Sequence, residues 1–165
     1  MSTWTIDQYE ARTAAMRGRA LEGVRFAAQS HAYDSDEPRH VRLRWAAVSL
    51  DANRRGHGDD PWDQARMHGQ DFMLRTWIIE HLGAGAEPAW NPDVLAADTL
   101  AALTLDPAEA MALSSGWGSL PIEQLGHLRR HRGLTAHLDR LIGHLEPGPA
   151  RDLLAAWIEV RKHLP

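Results

Sequence analysis

His127 and His131 stand four residues apart in the stretch 121–145, and on a helix side chains at that spacing lie one above the other. At 100° per residue both fall on an apolar side made by Leu128, Leu134, Leu138, Leu141, Ile142 and Leu145, while Arg129, Arg130, Arg132 and Arg140 gather opposite. His137 and His144 fall at the polar edge. An inward-facing histidine pair one turn apart has the geometry of a metal clip. The same pair can equally be core imidazoles whose two ring nitrogens are satisfied by backbone or a carboxylate. His68 lies on the Ala65–Phe72–Ile79 stripe of an earlier helix and also faces inward. Three neutral imidazoles with an open fourth position would make a catalytic-type site for a divalent metal such as zinc, nickel or iron.

The run His127-x-x-x-His131-Arg132-Gly133 resembles the C-terminal metal motif of the DinB/YfiT-like four-helix metalloproteins, which take a third histidine from an earlier helix. The likeness covers about a dozen residues, and the glutamine that usually follows the glycine is Leu134 here. The resemblance implies a metal-dependent enzyme or metal-binding protein with His68, His127 and His131 as ligands. The helix count exceeds that family's.

Other chemistries are weaker. The chain has no cysteine, which removes disulfides, thiolate nucleophiles and cysteine-based metal sites. A carboxylate-bridged di-iron centre needs two Glu-x-x-His motifs, and only Glu37 to His40 fits, at a helix start. Ser114 to Ser119 is no nucleophile elbow, since no strand precedes it. The glycine pairs Gly56/Gly58 and Gly83/Gly85 follow helices rather than strands, so they are not phosphate loops. Leu128 to Thr135 is similar in flavour to the helix junction of Cro-like helix-turn-helix domains. After it, however, Gly143 to Pro149 stands in place of the tight turn and the following helix is apolar, and residues 119–165 carry only about two net positive charges, too few for a nucleic-acid footprint.

The elements that must position these residues are helices. Proline at a first helical position follows a small or polar cap at Asp60-Pro61, Asn91-Pro92, Asp106-Pro107 and Gly148-Pro149. Asp106 with Glu109 and Thr5 with Gln8 read as capping boxes. The pattern predicts helices over about 6–30, 38–55, 61–82, 92–104, 107–115, 121–145 and 149–163. The first carries the stripe Ile6, Tyr9, Thr13, Met16, Ala20, Val24 and Ala27. The third is apolar nearly all round and therefore central. The stretch 121–145 is either continuous or broken at Gly133, with Thr135 capping a new helix. No period-2 run marks a strand.

Length, 44% hydrophobic and 24% charged residues describe one ordinary helical domain spanning 1–165, an all-α bundle of six or seven helices without a sheet. The net charge of −4 exerts no pull toward nucleic acid or acidic membranes. No apolar run reaches about 18 residues, and the N-terminus lacks a signal core, so the expected place is the cytoplasm. Arginine far outnumbers lysine, which fits a high-GC bacterial genome. Seven tryptophans are many for this length. Most serve packing, and Trp62, Trp77, Trp117 and Trp157 are candidates to line a groove for a partner. The reading that follows is a non-enzymatic helical module binding a partner protein or small molecule. The three-histidine metalloprotein is the alternative, and a DNA-binding regulator comes third.

Overall fold

The computed structural model describes residues 4–165. Among them every regular element is helical: α1 (Ile6–Thr13), α2 (Ala20–Tyr33), α3 (Arg39–Gly56), α4 (Pro61–Leu82), α5 (Pro92–Ala102), α6 (Pro107–Ser114), α7 (Ile122–Leu134), α8 (Leu138–Ile142) and α9 (Pro149–Arg161). Single 3-10 turns cover Pro88–Trp90 and Trp117–Ser119. The all-α class is as the patterning requires. The count of nine α-helices among the described residues exceeds the six or seven read from periodicity, because two long stretches are broken. The chain forms two compact units, one ending at Leu74 and the other spanning Arg75–Pro165; α4 contributes its first half to one and its second half to the other. No helix is long and apolar enough to cross a membrane among the described residues.

The helix starts follow their caps. Thr5 and Gln8 exchange side-chain and backbone hydrogen bonds, as do Asp106 and Glu109. Asp60 Oδ1 accepts the N–H groups of Trp62 and Asp63, and Asn91 Oδ1 those of Asp93 and Val94. Each satisfies donors that a first helical turn leaves orphaned.

The first break separates α1 from α2. Gly18 adopts a left-handed φ of 65°, which favours glycine. The Arg55 guanidinium, arriving from α3, donates to the carbonyls of Thr13 at 2.6 Å and Met16 at 3.1 Å. Thr13 is the last residue of α1 and Met16 lies in the turn that follows it. The break resets the helical phase. The buried face of α2 is therefore Leu21, Arg25, Ala28 and Ala32, whereas Ala20 is exposed and Val24 and Ala27 are only partly covered. That corrects the stripe read from a single continuous helix.

In the first unit α2 lies along α3, and α1 packs on both. Small buried residues, Ala28 and Ala32 on α2 and Ala46, Ser49 and Ala52 on α3, let the two backbones approach. Ser49 Oγ donates across to the Arg25 carbonyl at 3.1 Å. Trp45 is clasped between Tyr9 and a stacked His31. Interiors this tightly filled resist added volume. Ala28→Leu is expected to cost about 1–3 kcal/mol in urea unfolding, while Ala155→Leu at an exposed position stays within about 0.5 kcal/mol.

The second unit gathers α5, α6 and α8 around α9, whose Leu154, Trp157 and Val160 are buried. The stretch 121–145 is not continuous. It breaks after Leu134 and not at Gly133, which stays helical. Thr135 closes α7 as its C-cap, with its hydroxyl donating back to the His131 carbonyl at 2.8 Å.

Candidate ligand site

The histidine pair resolves into a structural latch. His131 is 2% exposed. Its Nδ1 sits 2.9 Å from the His127 carbonyl, and its Nε2 accepts the backbone N–H groups of Thr104 at 3.1 Å and Leu105 at 3.2 Å. Two donors on Nε2 require that nitrogen to be unprotonated, so Nδ1 carries the proton and donates it to the carbonyl. The ring is neutral and both its nitrogens are used. His127 shares a 2.7 Å hydrogen bond with the Thr104 hydroxyl. Burial holds both imidazoles below the ordinary histidine value, with Arg130 adding to the effect.

A metal needs a free imidazole lone pair, and His131 has none to offer. The metal group implied by the DinB/YfiT-like resemblance therefore does not fit this pair. His68, the third expected ligand, is partly buried on α4 in the first unit. Among the described residues no group of three or more His, Asp or Glu is placed to hold a metal ion.

The four tryptophans do not make one groove. Trp157 is a core residue, 1% exposed, with its ring facing that of His131; its place on the apolar face of α9 removes it from any surface. Trp77 is partly covered and stacks on His81. Trp62 and Trp117 are 53% and 51% exposed, and they belong to different units. Where the helix-turn-helix alternative would need a recognition helix, α8 has only five residues and buries Leu138 and Leu141.

The unmet chemistry lies in the first unit, in a cleft of about 130 Å³ among α2, α3 and α4. Arg19 stands just before α2, Glu22 and Arg25 come from α2, Asn53 and Gly56 from α3, His57 from just past its C-terminal end, and Arg66 and Gln70 from α4. Periodicity places Arg25 there: it occupies the inward position between Leu21 and Ala28 and is 7% exposed. One of its donors reaches Gln29 Oε1 at 3.1 Å, and its guanidinium lies 4.0 Å from the Phe26 ring centroid. Among the described residues no carboxylate comes within ion-pair distance of it. Burial lowers its pKa, against an opposing pull from Glu22.

The rest of the cleft is firmly built. Asn53, 2% exposed, donates to the Met67 carbonyl at 3.0 Å and to Asp71 at 2.6 Å, which ties α3 to α4. Asp71 also accepts from Arg54. His57 donates from Nδ1 to the Asn53 carbonyl and accepts from Arg66 Nε at 3.2 Å. That arrangement holds Arg66 at the rim, with Asp63 on the guanidinium's other side. With both ring nitrogens engaged, His57 is not poised as a general base. Asn53 Oδ1 and Gln70 Oε1 are closed to solvent and have no hydrogen-bond donor.

A roomier trough of about 460 Å³ between α1 and α3 has no such unmet groups. There Arg55 is committed to Asp51 and to the end of α1, and Glu10 to Arg44. Sequence reading passed over Arg25 because its assumed single first helix placed the inward face elsewhere. An arginine in the spacing Leu21, Arg25, Ala28, Ala32 was the available signal. Comparison with protein-family models, curated proteins and solved structures finds no match.

Proposed function

We propose that the chain is a non-enzymatic helical binding module whose α2–α3–α4 cleft takes a small anionic molecule. One contrast carries this reading. The two arginines buried among the described residues, Arg25 and Arg75, are treated oppositely. Arg75, 3% exposed, is met by the Asp98 carboxylate and by the carbonyls of Pro88 and Ala89. Arg25 has one neutral partner, Gln29, and opens onto a cleft. A desolvated guanidinium without a counter-ion is costly, and an anion seated in the cleft removes that cost. Arg19 and Arg66 add positive charge around the same space. The absence of a poised base or nucleophile in the cleft favours binding over catalysis.

The reading makes an unusual stability prediction. Arg25→Met should leave the unliganded protein as stable as before or stabilise it, because it removes a buried charge that nothing compensates. The same change should abolish ligand-dependent stabilisation. Thermal unfolding with acetate, inorganic phosphate and glycine as probes tests both halves. A probe at about 100 times its dissociation constant adds about 2.7 kcal/mol to the wild type and nothing to Arg25→Met. If none of the probes gives a saturable rise, or if Arg25→Met responds like the wild type, the cleft is not the ligand site.

A further inference from the structure

The cleft is lined by two opposite kinds of group, and their balance constrains what it holds. Three arginines supply donors and positive charge. Two side chains that line the same space carry acceptors without donors among the described residues, the Glu22 carboxylate and Gln70 Oε1. Asn53 Oδ1 also lacks a donor, but it is closed to solvent and its amide cannot turn, because its nitrogen is held by the Met67 carbonyl and by Asp71. Gln70 has more freedom. Its terminal torsion is broad, and a turn of that amide brings Oε1 to the open cleft. A simple anion would satisfy the Arg25 guanidinium, leave both acceptors unmet and place negative charge near Glu22. A simple cation would do the reverse and meet three arginines.

Resting on the ligand reading above, we infer that the cleft selects a small zwitterion, an α-amino acid or an amino-carboxylate of similar size. Its carboxylate is held by Arg25, whose planar fork matches two carboxylate oxygens, while Arg66, engaged by His57 and Asp63, adds positive charge at the rim. Its ammonium is held by the Glu22 carboxylate and by Gln70 Oε1 once that amide turns. The volume sets the size class. About 130 Å³ is well below the roughly 300–1,000 Å³ of sites for drug-sized ligands, so a nucleotide, a sugar phosphate or a peptide does not fit.

Calorimetric titration of the full chain near neutral pH separates the possibilities, with glycine, L-alanine and L-serine as zwitterions and acetate, inorganic phosphate and methylamine as single-charge controls. At least one amino acid is expected to bind about tenfold or more tightly than every control. In Gln70→Met, which removes one acceptor from a partly exposed side chain, that advantage should shrink severalfold. Glu22→Gln, at an exposed position, tests the acceptor wall independently should Gln70→Met fail to fold. Acetate or phosphate binding as tightly as the amino acids overturns the zwitterion assignment and leaves the anion reading standing. An amino-acid advantage unchanged in both variants also overturns it, because the ammonium is then held elsewhere. No saturable heat from any probe sinks both readings.

Discussion

Replacing His131 by phenylalanine should destabilise the protein by roughly 3–5 kcal/mol in urea unfolding. Phenylalanine keeps a flat ring against Trp157, so packing is largely preserved and the loss reports the ring nitrogens. Two backbone donors, Thr104 N–H and Leu105 N–H, lose their acceptor, and a buried donor left unmet costs about 1–3 kcal/mol. The His127 carbonyl loses its side-chain donor as well. The segment between α5 and α6 is thereby released at the point where it enters the Asp106 capping box. The effect depends on pH, and its sign is fixed by the direction of the shift. Burial holds the folded ring below the ordinary value of 6.5, so the unfolded chain takes up the proton first. The contribution of His131 is therefore fully present above about pH 6.5 and is lost as the pH falls toward the folded value. One such group changes stability by at most about 1.36 kcal/mol per pH unit. The gap between wild type and His131→Phe should be wide at pH 8 and narrower at pH 5. A gap of equal size at both would mean that the ring is not held neutral.

Much of this architecture was legible in the residues, and what was hidden has particular physical causes. Proline preceded by an aspartate or asparagine cap announced the starts of α4, α5 and α6, because those residues satisfy their own helix's orphaned donors locally. The inward aspect of His131 was legible for the same reason: three or four neighbours on one helix define a face. The break before α2 was not legible. Its cause is Arg55, which reaches the end of α1 from 42 residues away in sequence, and no local window contains it. The break after Leu134 turned on Thr135 bonding backward to His131 rather than forward as an N-cap, a choice both of whose outcomes suit threonine. The role of His131 was hidden by its partners, two main-chain N–H groups that carry no side-chain signature. The α2–α3–α4 cleft was hidden by phase, since reading residues 14–19 as helix puts Arg25 off the inward face.

Arg75→Met is expected to cost roughly 3–5 kcal/mol, from the loss of three hydrogen bonds made by one charged group at about 1.5–3 kcal/mol each, less what water returns to the half-exposed Asp98, and to act through the connection that follows α4. The guanidinium makes three directed bonds: Nε to the Ala89 carbonyl at 2.8 Å, one terminal nitrogen to Asp98 at 2.6 Å and the other to the Pro88 carbonyl at 3.2 Å. It thus pins the 3-10 turn at Pro88–Trp90 and the middle of α5 to one point on α4. Trp90, itself buried, depends on that turn, and its carbonyl accepts the Gly85 N–H at 3.1 Å. Methionine keeps the apolar stem and deletes all three bonds. Lysine keeps the charge but not the planar fork, so Arg75→Lys should recover only part of the loss. The carboxylate side of the pair weighs less. Asp98 is half exposed, so water replaces much of what it gives up, and Asp98→Asn should cost about 1 kcal/mol or less. The expected order of destabilisation is Arg75→Met, then Arg75→Lys, then Asp98→Asn. If Asp98→Asn proved as damaging as Arg75→Met, the ion pair rather than the two carbonyls would be holding the turn. Set beside Arg25→Met, which should leave the unliganded protein unharmed, the pair of variants asks one question of two buried guanidiniums: a satisfied one should be destabilising to lose, and one kept for a ligand should not.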